Sequence, residues 1–339
     1  MKRWGIPCAK LAVAGGLIYW LVQRGGLSTE GLSEIARGWP WLLLAQVPFA
    51  CILLLATARW RLFLGVQGVH YGFLEIQSLV LLGIFFNQVL FGSIGGDVAK
   101  AYYISKGTSE RQAAAVLTVF IDRALGLFVL LVFACLGTFL NFNAIKDNPF
   151  LLSLAWAVWT LVAVTVLSGC LFFSQRARNN RAAKALLSKL PFKGMLSKVS
   201  EILYVYKSHP AVVLKAVAIS FVLHSLVILT NLLFIRALAP DQWASPLSLF
   251  LVVPLAQVAM AIPITPGGLG TGELAYKELF SHFGINNGDL VSLLQRLTYC
   301  FWGIPGLLVY LSRRKSTPAT ESTEHLEPQA KEEEIGKKE

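Results

Sequence analysis

Charged residues are scarce in this sequence, and the hydrophobic residues are gathered into long runs. Only 14% of the 339 residues are charged, whereas 55% are hydrophobic. A soluble domain of this size can bury a good core, but it does not carry apolar runs this long and this frequent. Most of the runs approach or exceed the ~18–20 residues that cross a hydrocarbon core. The composition therefore excludes a soluble domain and predicts an all-α polytopic membrane protein.

The motifs of the common metal and nucleotide sites are also missing. The five cysteines are scattered through apolar segments without a CxxC pair, and the five histidines lack metal-ligand spacing. HExxH and GxSxG do not occur. The stretch "GGLGTGE" has neither the GK[ST] of a P-loop nor the preceding strand of a dinucleotide fold. The sequence gives no reason to expect a metal or a cofactor.

Positive charge exceeds negative charge by a formal +11, and its largest cluster lies in one hydrophilic segment. Residues 175–210 carry eight Lys and Arg against Glu201 alone. Beside a membrane span, such a cluster is typical of a cytoplasmic loop that faces anionic lipid. The net charge is therefore no indication of nucleic-acid binding.

Eight apolar runs are candidate spans, and they lie near 10–23, 39–58, 74–91, 113–140, 149–174, 211–238, 246–265 and 290–312. The first follows Lys2, Arg3 and Lys10 as in a signal peptide, but no small-x-small cleavage site follows it, so we expect a retained first span. If all eight runs crossed, nine flanking Lys and Arg would lie inside and fourteen outside. If the third and seventh runs dip in and return, the counts become nineteen inside and four outside, as the positive-inside rule requires.

The second count predicts about six full transmembrane helices plus two re-entrant helical hairpins, with both termini cytoplasmic. The hairpin tips then coincide with two glycine-rich breaks, Gly92–Asp97 and Pro263–Tyr276. Non-helical backbone at membrane depth is tolerated only where protein or a wet cavity covers it. The two breaks therefore predict an internal cavity.

The two halves of the sequence resemble each other, at about 39–174 and 211–312. In each half a glycine-rich break is followed by an acid, a short helix with a Tyr, and a span with an arginine near its start. These residues are Gly95, Gly96, Asp97, Tyr102 and Arg123 in the first half, and Gly267, Gly268, Gly270, Glu273, Tyr276 and Arg296 in the second. Because the hairpins enter from opposite sides, the predicted repeat is inverted, as in many secondary transporters.

Three charged residues, Asp122, Arg123 and Arg296, fall within or at the edge of predicted spans. Each costs on the order of 2.5–3.5 kcal/mol at the bilayer centre on insertion scales, and less near an interface. They are either structural ion pairs, side chains that snorkel to the headgroups, or parts of a functional site. Their position beside the two helix breaks favours the functional interpretation.

A half-helix that begins after a glycine break presents free N–H groups and a positive dipole end, which together form a receptor for phosphate. Lys100, Arg123 and Arg296 can add charged donors there. Asp97 and Glu273 sit where helix caps would. Two other roles stay open for these acids: holding the cations in place, or binding a coupling proton or cation.

Further polar residues lie on the predicted spans. Ser220, His224 and Asn231 fall close to one face of the sixth run, where helix–helix hydrogen bonding and cavity lining are both open. Asn87, Gln88 and Gln257 precede the two breaks and can satisfy freed backbone groups.

The segments "GSIGGDVAKAYYI", "DRALGL" and "PITPGGLGTGE" resemble the signature segments of the flippase-like membrane domain, the transmembrane region of lysylphosphatidylglycerol synthases. The resemblance spans residues 5–315. It implies a bacterial or archaeal plasma-membrane protein with two re-entrant helices and a cavity that passes lipid headgroups. Lys100 stands where relatives often have arginine. By motif, the resemblance carries substrate-contacting roles onto Gly95, Gly96, Asp97, Asp122, Arg123, Pro266, Gly267, Gly268, Gly270 and Glu273.

Residues 1–315 are expected to form one integral membrane domain, and 316–339 a disordered charged tail that is too short and polar to fold alone. The aminoacyl-transferring domain of full-length synthases does not follow, so we expect no synthesis of lysyl-lipid.

The function expected is that of a lipid flippase-like transporter in the plasma (inner) membrane, moving an anionic or zwitterionic phospholipid or lipid-linked intermediate between leaflets. The expected partner is a membrane lipid bound through its phosphate headgroup. A membrane enzyme acting on a lipid phosphate and an accessory subunit of a lipid-modifying enzyme are the alternatives. Homo-oligomerisation is also open.

Overall fold

The computed structural model describes residues 35–89, 94–108, 111–174, 200–241, 245–261 and 271–315. Every regular element in these ranges is helical. The main helices are α1 (Trp39–Val66), α2 (Phe73–Val89), α3 (Gly95–Lys106), α4 (Gln112–Leu140), α5 (Pro149–Phe173), α6 (Pro210–Leu238), α7 (Pro246–Ala261), α8 (Thr271–Ser281) and α9 (Gly288–Lys315). A helical turn at Phe142–Ile145 precedes α5, and a 3₁₀ turn at Tyr206–Ser208 precedes α6.

Four of these helices, α1, α4, α5 and α6, are long and apolar enough to cross a membrane. They coincide with predicted spans and confirm a multi-pass membrane protein. The helix α9 is 28 residues long but carries several charged side chains, so its crossing stays a prediction. The first predicted span, 10–23, and most of the linker 175–210 lie outside the described residues. The count of six full spans is thus supported for four.

The described residues of the third and seventh apolar runs form helices shorter than the four candidate spans. The 17 residues of α2 and the 16 of α7 extend about 26 and 24 Å at 1.5 Å per residue, less than the ~30 Å hydrocarbon core. Each is followed by a shorter polar helix, α3 or α8, that packs back against it. These two helical pairs are the elements that the sequence predicts to be re-entrant.

The close approach of α2 and α3 depends on Gly96. A Cβ atom at this position would lie 2.1 Å from the carbonyl oxygen of Gly83 on α2, nearer than any real Cβ contact. The amide of Gly96 donates a hydrogen bond to Asn87 Oδ1 on α2, at 2.7 Å. Glycine therefore permits this helical pair, and the Asn87 side chain replaces a backbone acceptor at the start of α3.

The two sets of four helices, α1–α4 and α6–α9, pack in the same pattern. Exchange of the two halves maps α1 onto α6, α2 onto α7, α3 onto α8 and α4 onto α9. Under this exchange the α2–α9 contact maps onto α7–α4, and α2–α3 maps onto α7–α8. In the same way α3–α4 maps onto α8–α9, and α1–α4 maps onto α6–α9. The α1–α6 contact maps onto itself. The similarity of the two halves in sequence is thus matched by their packing. The helix α5 lies between the two sets in the sequence.

The helices α1 and α6, which are equivalent in the two halves, run antiparallel. At one end the Tyr206 hydroxyl, just before α6, donates to the carbonyl oxygen of Phe63 near the end of α1 (3.0 Å). At the other end, Gly38 before α1 lies against the backbone of Ala237 near the end of α6. The two-fold axis that relates two equivalent antiparallel helices is perpendicular to the helices rather than parallel to them.

Candidate functional site

The first charged cluster forms where α3 begins. Asp97, in the first turn of α3, is 5% exposed and accepts from two cations. Lys100 Nζ lies 2.7 Å from Asp97 Oδ1, and Arg123 Nη1 on α4 donates to Asp97 Oδ2. The structure thus brings together three residues that the sequence singled out, and Asp97 holds both cations at one end of a short helix.

Lys100 is positioned from two sides. Its methylene carbons lie against Gly83 of α2, where a Cβ atom would meet them at 3.2 Å. Its ammonium group lies 5.5 Å from the centre of the Trp60 ring, close enough for a cation–π interaction. The Trp60 Nε1–H in turn donates to Thr118 Oγ1 on α4, at 3.0 Å. Lys100 is therefore a fixed charge rather than a mobile surface side chain.

A second, deeper cluster joins three of the long helices. Arg59 on α1 forms a two-pronged pair with Asp122 on α4, with Nε–Oδ1 at 2.7 Å and Nη2–Oδ2 at 3.0 Å. Arg59 Nη1 also donates to Ser220 Oγ on α6, at 2.8 Å. Arg59 and Asp122 are 7% and 8% exposed. Both oxygens of Asp122 accept from Arg59, which makes a structural pair, and contact of Asp122 with a substrate stays a prediction.

Arg59 was not predicted to be a site residue, because the predicted apolar run ends at 58. The helix continues to Val66, which places Arg59 inside the protein. The apolar residues that follow Arg61 were the available signal, since they continue the hydrophobic face for one more turn. Ser220, read only as part of a polar stripe, is the third member of this cluster.

The third cluster is the counterpart of the first in the second half. Glu273, in the first turn of α8, accepts from Arg296 Nη2 on α9 at 2.8 Å. Beside it, the fully buried Tyr276 donates its hydroxyl to Gln295 Oε1 at 2.6 Å. The acid–arginine pair at the start of a short helix is therefore repeated, with Tyr276 at the position that corresponds to Lys100. Gly267, Gly268, Gly270 and Pro266 lie outside the described residues.

The backbone amides at the start of α3 are engaged in this structure. The Gly96 N–H donates to Asn87, and the Asp97 N–H donates to the carbonyl oxygen of Ile94. The amides of a half-helix were predicted to be free for an anion, and at this helix the amides of Gly96 and Asp97 are not free. Lys100 and Arg123, whose side chains are partly exposed, are therefore the candidate groups for an anionic ligand.

The remaining polar candidates are buried between helices. His224 Nε2 lies 3.1 Å from the carbonyl oxygen of Gly126 on α4, which ties α6 to α4. Asn231 is fully buried and donates to Val227 within its own helix. The Oδ1 of Asn231 and the Nε2 of Gln257 have no hydrogen-bond partner among the described residues. Two pockets lie among the described helices, one between the end of α1 and the starts of α2 and α6, and one between α1, α6 and α9. Neither is lined by these side chains, so their role as cavity lining stays a prediction.

Comparisons with known proteins agree with the helical, membrane-embedded character of the chain. The family model described as the lysylphosphatidylglycerol synthase TM region matches residues 8–306. A UPF0104 membrane protein of Pyrococcus horikoshii is 27% identical over 289 residues, which cover 79% of this chain and 84% of the relative. A UPF0104 membrane protein of Methanothermobacter thermautotrophicus is 24% identical over 292 residues, 79% of this chain and 83% of the relative. No solved structure matches the chain.

Proposed function

Because the chain belongs to the lysylphosphatidylglycerol synthase TM region family and has helices that can cross a membrane, we propose that it moves a lipid between the two leaflets. The substrate is an anionic or zwitterionic phospholipid, or a lipid-linked intermediate with a phosphate headgroup. The protein lies in the plasma (inner) membrane with both termini in the cytoplasm, and it transports rather than chemically alters the lipid.

The observation that carries this proposal is the charge of the first cluster. Asp97 contributes one negative charge, whereas Lys100 and Arg123 contribute two positive charges, which leaves a net +1. The Lys100 and Arg123 side chains are 16% and 26% exposed, so a ligand can reach them. Cationic side chains inside a membrane protein are typical of substrate and ion pathways. A phosphate monoanion is a ligand that two such cations suit.

The acid in the cluster has a physical role in this mechanism. A guanidinium that is already held by Asp97 needs little reordering when a phosphate arrives, and Arg presents a planar fork that suits phosphate oxygens. The barrier to lipid movement is the desolvation of the headgroup, since the acyl chains can stay in the hydrocarbon phase. Fixed cations lower that barrier by replacing water around the phosphate.

The arrangement of the helices supports entry of the two short helical pairs from opposite sides of the membrane. The described residues of α2 and α7 extend less than the hydrocarbon thickness, each packs against a short helix, and the equivalent helices α1 and α6 are antiparallel. In this topology, Asp97 and Glu273 stand at the tips of two inverted re-entrant pairs. Such sites near the midplane, between inverted repeats, are common in secondary transporters.

Transbilayer movement of fluorescent phosphatidylglycerol in proteoliposomes tests the proposal. Wild-type protein should accelerate movement over protein-free vesicles. Arg123→Gln should slow it at least tenfold, and Arg123→Lys should fall between, because lysine keeps the charge but loses the fork. Lys146→Gln, an exposed lysine far from the cluster, is the matched control.

Circular dichroism of each variant checks that the helices remain folded. Equal rates with and without protein, across several anionic and zwitterionic lipids, would contradict the proposal. Mass spectrometry of the recovered lipid separates transport from an enzymatic reaction on the phosphate, because a transporter leaves the lipid covalently unchanged. Recovery of a stoichiometric lipid-modifying enzyme with the purified protein would favour an accessory role instead.

A further inference from the structure

A basic, partly apolar groove lies on the outside of the helices, away from the charged clusters. It is formed by the end of α1, the start of α2 and the start of α6, and it has a volume of about 900 Å³. That volume is near the upper end of the ~300–1,000 Å³ typical of ligand pockets. The described residues that line it include Arg61, His209 and Lys215 together with Leu62, Val212 and Ile219.

We propose that this groove is a binding site for an anionic phospholipid, with the phosphate at Arg61 and Lys215 and an acyl chain along the apolar floor. The site is distinct from the transport path. Arg59 points to Asp122, whereas Arg61, two residues further, lies about 200° round the same helix. The orientation proposed above, with both termini in the cytoplasm, places the groove at the cytoplasmic leaflet. Only this choice of leaflet rests on the proposed function.

The two cations lie at the same depth. Arg61 is five residues before the end of α1, and Lys215 is five residues after the start of the antiparallel α6. Each is thus about 7.5 Å from its helix end at 1.5 Å per residue. Both side chains are exposed, and neither has an ion-pair partner in the part of the chain that the structure describes. Two unneutralised cations at the edge of a membrane span attract anionic headgroups.

The groove exists because small residues stand where α1 and α6 face outward. Ala58, Gly65 and Ala218 line it, and a Cβ atom added at Gly65 would meet nothing within 4 Å. Leu62 and Ile219 supply apolar walls for a hydrocarbon chain. The combination of a cationic rim and an apolar floor matches a lipid better than a soluble phosphate, which would use only the rim.

The charge of the groove also argues against two basic segments of the protein's own chain as its occupant. The segments 1–34 and 175–199 both carry more Lys and Arg than Asp and Glu, so either would add positive charge to the groove. An anionic lipid would neutralise it. No acidic residue is among the described residues that line the groove.

Photoreactive phosphatidylglycerol, with the reactive group on an acyl chain, tests the site in nanodiscs that contain the full-length protein. Labelling should map to peptides that contain 58–66 or 212–219, and unlabelled phosphatidylglycerol should compete. A phosphatidylcholine analogue should label them much less. The double variant Arg61→Gln with Lys215→Gln should weaken competition about 30-fold, since each cation near an anionic surface contributes on the order of 1 kcal/mol.

Two further variants separate charge from space. Gly65→Phe with Ala218→Phe should abolish labelling while both cations remain, and Lys146→Gln should label like the wild type. Equal labelling by the phosphatidylcholine analogue, or unchanged labelling after the groove is filled, would overturn the proposal. Disulfide trapping of a cysteine at 218 to one placed in 1–34, 175–199 or the acidic tail 316–339 would overturn it too, because the chain itself would then fill the groove.

The same variants distinguish this site from the transport site. The groove-filling variant should lose labelling but should still accelerate lipid movement at the wild-type rate. Arg123→Gln should slow lipid movement but should still be labelled. A groove variant that loses both properties equally would show that the two sites are one, and the proposal of a separate site would fail.

Discussion

Replacing Asp122 with Asn would remove the carboxylate that holds Arg59 between α1, α4 and α6. The asparagine amide keeps one oxygen that can accept from Arg59, but its NH₂ group cannot accept, so the negative charge and one of the two hydrogen bonds at 2.7 and 3.0 Å would be lost. The 2.8 Å contact of Arg59 with Ser220 would remain. Both charged residues are more than nine-tenths buried. Breaking such a pair from one side typically costs about 3–5 kcal/mol, because the remaining charge is left uncompensated.

The double variant Arg59→Met with Asp122→Leu should be more stable than Asp122→Asn, since it leaves no buried charge. Unfolding of the purified protein in mixed detergent micelles, followed by circular dichroism, gives the free energies for both variants. Asp147→Asn makes the same chemical change at an exposed site and should stay within about 0.5 kcal/mol of the wild type. The reasoning is refuted if Asp122→Asn also stays within about 1 kcal/mol, or if the double variant is the less stable one.

Two packing predictions follow from the same structure. Gly96→Ala should destabilise the protein by about 3 kcal/mol or more, because its Cβ atom would lie 2.1 Å from a carbonyl oxygen of α2; Gly65→Ala, in open space, should be near neutral, and equal unfolding free energies would contradict this. Tyr276→Phe should cost about 1–3 kcal/mol by leaving Gln295 Oε1 unsatisfied, whereas the exposed Tyr102→Phe should cost little. Identical denaturation curves for the two tyrosine variants would argue against a hydrogen-bonded core.

The positions of the helices were predictable because length and hydropathy report directly on membrane crossing. The predicted run 113–140 corresponds to α4 at Gln112–Leu140, and the run 211–238 corresponds to α6 at Pro210–Leu238. The charge count also selected the third and seventh runs as unusual, and these form the short helices α2 and α7. Re-entry of α2 and α7 depends on where the bilayer lies around these helices, and it stays a prediction.

The partners within the site were less predictable. Arg59 and Asp122 are 63 residues apart, and no local pattern joins them. The sequence grouped Asp122 with Arg123 because they are neighbours, yet consecutive residues of a helix point about 100° apart. In the structure they belong to different clusters, with Asp122 bound to Arg59 and Arg123 bound to Asp97. Long-range pairing of this kind follows from tertiary packing alone.

The two halves place different chemistry at equivalent positions. Three residues after the acid stands Lys100 in the first half and Tyr276 in the second, and the residue before the arginine is Asp122 or Gln295. The second half therefore uses neutral hydrogen bonds where the first uses charges.

Among these side chains alone, Glu273 and Arg296 carry opposite charges, whereas Asp97, Lys100 and Arg123 sum to +1. If a phosphate headgroup binds at both clusters, it should bind more strongly at the first, because two cations rather than one face it there. Unequal affinity at two inverted sites would give lipid movement a preferred resting position on one side of the membrane.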